Sequence, residues 1–128
     1  MAGGLAPAGR VIARGRAGWM GFFGAGGLSL AAVEEGVKAI KAAIPNAPAG
    51  FNLLHNPAEP KVEDATVDLY LKHDCRMVSA SAYMTLTPAL VRYRLTGIHQ
   101  AAGGQIVCPN RIFAKISRPE VAERFMRP

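Results

Sequence analysis

Three features of this 128-residue sequence predict an α/β fold built on parallel strands. Short apolar runs begin near positions 19, 50, 77 and 111. A stretch with helical periodicity follows each of the first three, and alternating strand–helix units of about 30 residues imply parallel pairing through right-handed crossovers. The third feature is WMGFFGAGGLSL (19–30), where an apolar run ends in a glycine cluster that opens an amphipathic pattern. Such units suit a small open sheet or half of an eight-stranded barrel, and periodicity alone does not choose between them.

Taken in order, Met1–Gly4 opens with a glycine pair and no strand before it. Ala6–Gly18 reads as a short helix with Pro7 in its first turn. Trp19–Phe23 is the first strand. Ser29 is the expected N-cap of a helix over 30–43, with Leu30, Val33, Val37, Ile40 and Ile44 on one stripe and Glu34, Glu35, Lys38 and Lys41 opposite. Gly50–His55 is the second strand. The next helix, from Pro60 to about Lys72, is expected to bury Val62, Ala65 and Leu69. Met77–Tyr83 is the third strand, and period-2 alternation puts Ser79, Ser81 and Tyr83 on one face. Thr87-Pro88 opens a helix that ends before Gly97. Gly103-Gly104 marks a hairpin tip within 101–108, Arg111–Ser117 is the fourth strand, and Pro119 starts the last helix.

Composition narrows the classes of function. Half the residues are hydrophobic, enough for one domain with a core. The net charge of +6 is spread from Arg10 to Arg127 without a basic run, so a nucleic-acid surface is not expected. Cys75 and Cys108 lie 33 residues apart with no C-x-x-C spacing, which fits a reduced, cytoplasmic protein better than a disulfide scaffold. No His or Cys pair has structural-zinc spacing, so no metal site is expected. The 17 uncharged residues between Arg16 and Glu34 include five glycines, too short and broken for a membrane span of about 20 apolar residues.

Ligands of parallel α/β folds gather at the carboxyl ends of the strands. That selects Gly24–Gly27, Asn52, His55 and Asn56, Ser81 and Tyr83, and Lys115 and Ser117. The glycine turn fails as a dinucleotide fingerprint, because Ser29 stands at the third glycine position and no acid lies near position 46. Asn52 is an amide in an apolar strand, able to bond a heterocycle edge or a neighbouring strand. Lys115, between Ala114 and Ile116, calls for an anionic or electron-rich partner or for snorkelling at the strand end. His55 is either an acid/base or a hydrogen-bonded loop residue.

The segments MAGG, GWMGFFGAGGL, GFNLLHNPAEP, DLYL, SASAYMTLTPALVRYRLTG and PNRIFAKISRPEVAERFM together resemble the flavin-dependent enoyl reductases of polyunsaturated-fatty-acid and polyketide synthases, the PfaD type. These are related to the nitronate monooxygenase (2-nitropropane dioxygenase) family. The resemblance implies an FMN-binding (β/α)8 barrel. Residues 1–128 would form one partial domain of it, from the end of its first strand through its fifth strand and the start of the following helix. It further implies NADPH as the source of reducing equivalents and an enoyl thioester on an acyl carrier protein as the substrate. Met1, Ala2 and Gly3 match the end of the family's first strand, against the flavin. Asn52 matches the residue that hydrogen-bonds the isoalloxazine, and Lys115 is similar to the basic residue at its N1–C2 edge. His55 and Tyr83 are the candidate substrate-binding residues. The family's phosphate-binding loops and its Gly-Gly-His stretch have no counterpart, and its catalytic histidine is not assigned to His55, His73 or His99. Such a partial barrel is expected to hold FMN weakly and to self-associate. The alternatives are a nitronate-oxidising flavoprotein and a non-catalytic remnant that contacts an acidic carrier protein through Arg92, Arg94 and Arg111.

Overall fold

The computed structural model describes residues 5–127. Five helices, α1 (Leu5–Arg16), α2 (Leu30–Ala43), α3 (Pro60–Lys72), α4 (Pro88–Leu95) and α5 (Pro119–Met126), alternate with strands β1 (Gly21–Phe23), β2 (Ala49–Leu54), β3 (Met77–Ser81) and β6 (Arg111–Ala114). Two further strands, β4 (His99–Gln100) and β5 (Ile106–Val107), form an antiparallel hairpin between α4 and β6.

The main sheet has the order β1-β2-β3-β6, parallel throughout. Each crossover steps the same way, so right-handed connections put all the intervening helices on one face. A doubly wound sheet would reverse its order and cover both faces. The strand order therefore settles what periodicity leaves open: these are parallel βα units of a barrel. Curvature agrees. Phe22 and Phe113 sit on the outermost strands, which a flat sheet would hold about 14 Å apart at its usual spacing. Their ring centroids are 5.8 Å apart, so the sheet curls toward the face that carries them.

The helix-facing side supplies the core. Phe23, Phe51, Leu53, Val78 and Ala80 from the strands meet Val33, Val37, Ile40, Val67, Tyr70, Leu90 and Tyr93 from the helices. Two tyrosines bury their rings and satisfy their hydroxyls on backbone: Tyr70 donates to the Asn52 carbonyl at 2.6 Å and Tyr93 to that of Cys75 at 2.6 Å. Burial pushes both phenols, and the Cys75 thiol to about 12, above their ordinary ranges.

Element starts and stops follow local chemistry. Ser29 caps α2, its hydroxyl accepting from the Ala32 amide at 3.2 Å. α1 closes in a Schellman motif: the Gly18 amide reaches the Gly15 carbonyl, the Trp19 amide reaches that of Arg14, and Gly18 takes φ +81°. Trp19 is spent on that cap, so β1 starts at Gly21 and not at Trp19. The expected α2 stripe is buried except for Leu30, which is 39% exposed. The α3 expectation needs a larger correction. Val62 is exposed, and the stripe turned inward is Glu63, Thr66, Val67 and Tyr70, with Leu69 at its margin. The hairpin strands flank 101–105 rather than filling 101–108, with Gly104 at φ +82° near the tip.

α2 lies close to β1 because Gly36 has no side chain. A Cβ there would come within 2.4 Å of the Phe23 ring, which is fully buried and packed on Phe51 at 6.4 Å. Gly36→Ala gains about 1 kcal/mol of helix propensity but forces an overpacked contact of typically ~1–3 kcal/mol. The expected outcome is net destabilisation, seen as a lower urea midpoint than the unsubstituted protein; a raised midpoint would show that Phe23 has room to yield.

Candidate functional site

Along each parallel strand the residues opposite the core form a second face. In register these are Phe22 with Gly50, then Asn52 with Ser79 and Ser79 with Phe113, with Leu54 and Ser81 one step toward the carboxyl ends. The middle of this face is small and polar. The Asn52 amide nitrogen donates to the Ser79 carbonyl at 3.1 Å and to the Ser81 hydroxyl at 2.9 Å. No described residue donates to its Oδ1. Ser79 is fully buried, and its hydroxyl has no hydrogen-bond partner among the described residues. Lys115 follows Phe113 on the same line of alternation, exposed, with its amide on the Ala80 carbonyl at 3.0 Å.

Just beyond the strand ends lies a cluster around Glu63. This carboxylate on α3 is only 4% exposed. Its Oε1 accepts from the Tyr83 hydroxyl at 2.5 Å and the Thr87 hydroxyl at 2.6 Å, and its Oε2 is 3.0 Å from His55 Nδ1. Burial, the largest single influence, pushes the Glu63 pKa up, yet the bonds from Thr87, Tyr83 and His55 together outweigh it and hold the carboxyl below its ordinary value. Burial, and then the bond to Glu63, push the Tyr83 phenol up, so it remains a donor. The His55 ring stacks on Tyr83 with centroids 5.2 Å apart and planes at 28°. Thr87 serves twice, since its oxygen also caps α4 by accepting from the Leu90 amide at 3.2 Å.

The structure thus brings His55 and Tyr83 together and places Asn52 and Lys115 on one sheet face. Met1, Ala2 and Gly3 lie outside the described residues. One orientation differs from expectation. Tyr83 does not continue the face of Ser79 and Ser81, because Ala82 takes φ +65° and turns the chain so that Tyr83 reaches Glu63. Glu63 itself escapes a reading that searches strand ends, although Thr66, Val67 and Tyr70 at helical spacing mark it as inward-facing.

The glycine turn, the start of α2 and the start of α3 enclose a cleft of about 550 Å³ bordered by Gly26, Ser29, Asn52, Asn56 and Glu63. Two of the three arginines expected to meet an acidic carrier protein are engaged within the fold. Arg92 pairs with Asp68 at 2.6 Å and Asp64 at 3.4 Å, and Arg94 donates to the Asn110 carbonyl at 2.6 Å. Among the described residues no helix is long and apolar enough to cross a membrane.

Fold and site together define a segment of a βα barrel with a polar strand-end face. Comparison with known proteins places it further. No protein-family model matches the chain. It is 48% identical over 128 residues to one of the polyunsaturated fatty acid synthase polypeptides of Thraustochytrium sp., and 46% identical over 126 residues to the polyketide biosynthesis protein PksE of Bacillus subtilis. Those alignments take in 100% and 98% of this chain but only 9% and 16% of the relatives. The enoyl reductase domain of MlnA, from the macrolactin biosynthesis cluster of Bacillus amyloliquefaciens, superposes with a TM-score of 0.93 at 36% identity, over all of this chain and 30% of that one. The chain is therefore a homologue, along its whole length, of part of these synthase-associated proteins, and it has the fold of the corresponding part of an enoyl reductase domain.

The lowered Glu63 pKa has a pH consequence. A carboxyl held below its ordinary value of 4.5 stabilises the fold fully above that value, and the contribution is lost as pH falls through the folded pKa. Glu63→Gln is expected to cost about 1–3 kcal/mol near neutral pH by breaking the charge-assisted bonds. It should also remove this part of the acid sensitivity, so that the wild-type and variant melting temperatures converge between about pH 7 and about pH 3. Parallel melting curves across that range would show instead that Glu63 contributes no pH-dependent stability.

Proposed function

We propose that this chain is part of an FMN-dependent enoyl reductase that uses NADPH to reduce enoyl thioesters carried on an acyl carrier protein during polyketide or polyunsaturated fatty acid assembly. The observation that carries the reading is the whole-length similarity to the polyketide and fatty acid synthase proteins, joined to the structural match with an enoyl reductase domain. The residues suit a flavin in kind. Asn52 keeps an open carbonyl oxygen, Ser79 on the same face has an unpartnered hydroxyl, and Lys115 adds a cation toward the strand ends.

In this reading Asn52 Oδ1 accepts from the isoalloxazine edge, while its amide nitrogen stays fixed on β3 and sets the side-chain plane. Lys115 favours the negative charge of the reduced ring. Bound flavin would supply hydride to the β-carbon of the enoyl thioester. His55 and Tyr83 lie at the carboxyl ends of the strands, where the thioester is expected to approach. The Phe22 ring covers Gly50 and Ser79 is fully buried, so a planar ligand would meet this face at Asn52 and Ser81, both partly exposed.

The protein that carries this segment is expected to be yellow as purified and to release FMN, not FAD, on denaturation. Asn52→Ala should weaken flavin binding by about 1–3 kcal/mol, the typical cost of leaving a buried partner unsatisfied. Flavin titration, with a melting curve to separate binding from folding, tests this. Stoichiometric FAD, or an active colourless protein, would overturn the cofactor assignment; unchanged flavin affinity would make Asn52 a purely structural link between β2 and β3.

A further inference from the structure

The Glu63 cluster has a chemical asymmetry that flavin binding does not use. An ionised carboxylate offers only lone pairs, so the 3.0 Å bond between its Oε2 and His55 Nδ1 requires the hydrogen to sit on Nδ1. Nε2 is then the nitrogen left to exchange a hydrogen bond or a proton with a ligand. The ring cannot swing freely, because it stacks on Tyr83, which is itself held by Glu63. The backbone is held too: His55 follows the last residue of β2, and its amide donates to the Ser81 carbonyl at 3.0 Å. The side chain is 21% exposed, and Nε2 has no partner among the described residues and is not enclosed. A buried carboxylate thus holds one edge of the ring and presents the other at the carboxyl ends of the strands.

We infer that His55 and Glu63 form a proton-donating pair, distinct from the family's catalytic histidine, in which His55 Nε2 protonates the substrate and Glu63 is the positioning residue. This rests on the enoyl reductase reading above. Bound flavin would supply hydride to the β-carbon, and the electron pair of the carbon–carbon double bond would move toward the α-carbon and the thioester carbonyl. The Nε2–H bond of the imidazolium then breaks, its proton forms the new C–H bond at the α-carbon, and neutral imidazole remains. Water returns a proton to Nε2. Glu63 keeps the hydrogen on Nδ1 throughout, so that the donating nitrogen is always Nε2. Tyr83 and Thr87 keep the carboxylate in place.

The flavin-loaded protein that carries this segment tests the pair, using His55→Gln, Glu63→Gln and the double variant. Turnover of an enoyl thioester is expected to fall about 100-fold or more in His55→Gln and about 10-fold in Glu63→Gln, with KM changing far less than kcat. The double variant should be no slower than His55→Gln, because Glu63 acts through His55. A second readout needs neither flavin nor turnover. The imidazole 15N shifts of the flavin-free protein should report Nδ1–H in the neutral ring, and Glu63→Gln should redistribute it toward Nε2–H. His55→Gln turnover within about 3-fold of wild type, or a wild-type ring that is mainly Nε2–H, would overturn the pair while leaving the enzyme reading intact. Absence of enoyl reduction in the wild type would remove both.

Discussion

The constraint on which this structure depends is the one-way order of its parallel strands. Because β1, β2, β3 and β6 pair in sequence, every helix returns on the same side and every strand has one face against helices and one away from them. Phe23, Phe51, Leu53 and Val78 fill the first face. The second carries Gly50, Asn52, Ser79 and Ser81, of which Gly50 and Ser79 are buried and Asn52 and Ser81 partly exposed. The alternation of side chains along four short strands therefore separates the apolar core from the face that carries Asn52 and Ser81.

A buried carboxylate at the top of α3 joins these strands to the helices. An isolated carboxylate at 4% exposure would be strongly disfavoured in its charged form, but Glu63 collects donors from the end of β2, the turn after β3 and the cap of α4. Three separate connections of the chain are tied at one point. The left-handed Ala82 is what brings Tyr83 there. Stability and site geometry are thus coupled in the same four side chains.

Much of the architecture is legible in the sequence, because capping and hydrophobic spacing act locally. Ser29 and Pro60 mark the starts of α2 and α3, and the four main strands lie where apolar runs sit between turn residues. What stays closed depends on non-local or conformational facts. No spacing rule says that Trp19 closes a helix cap, which requires Gly18 in the left-handed region. Alternation does not foresee the turn at Ala82, and so it puts Tyr83 on the wrong face. Glu63 escapes notice because a carboxylate beside Asp64 on a helix reads as solvated. Its burial follows only once α3 is rotated to put Thr66, Val67 and Tyr70 inward. The choice between open sheet and barrel needs the strand order, a tertiary fact.

The two groups singled out at the strand ends meet at Ser81. Its hydroxyl accepts from the Asn52 amide at 2.9 Å, and its carbonyl accepts from the His55 amide at 3.0 Å. Asn52 belongs to the face away from the helices, while the His55 side chain belongs to the Glu63 cluster. One residue at the last position of β3 therefore fixes the height of both along the strand axis. A planar ligand resting on Asn52 and a group held near His55 would be set in register by a single strand end. Alignment of this kind is worth more than tighter binding of either group alone. The parallel sheet provides this register without further elements, because β2 and β3 end at the same level, with Leu54 opposite Ser81.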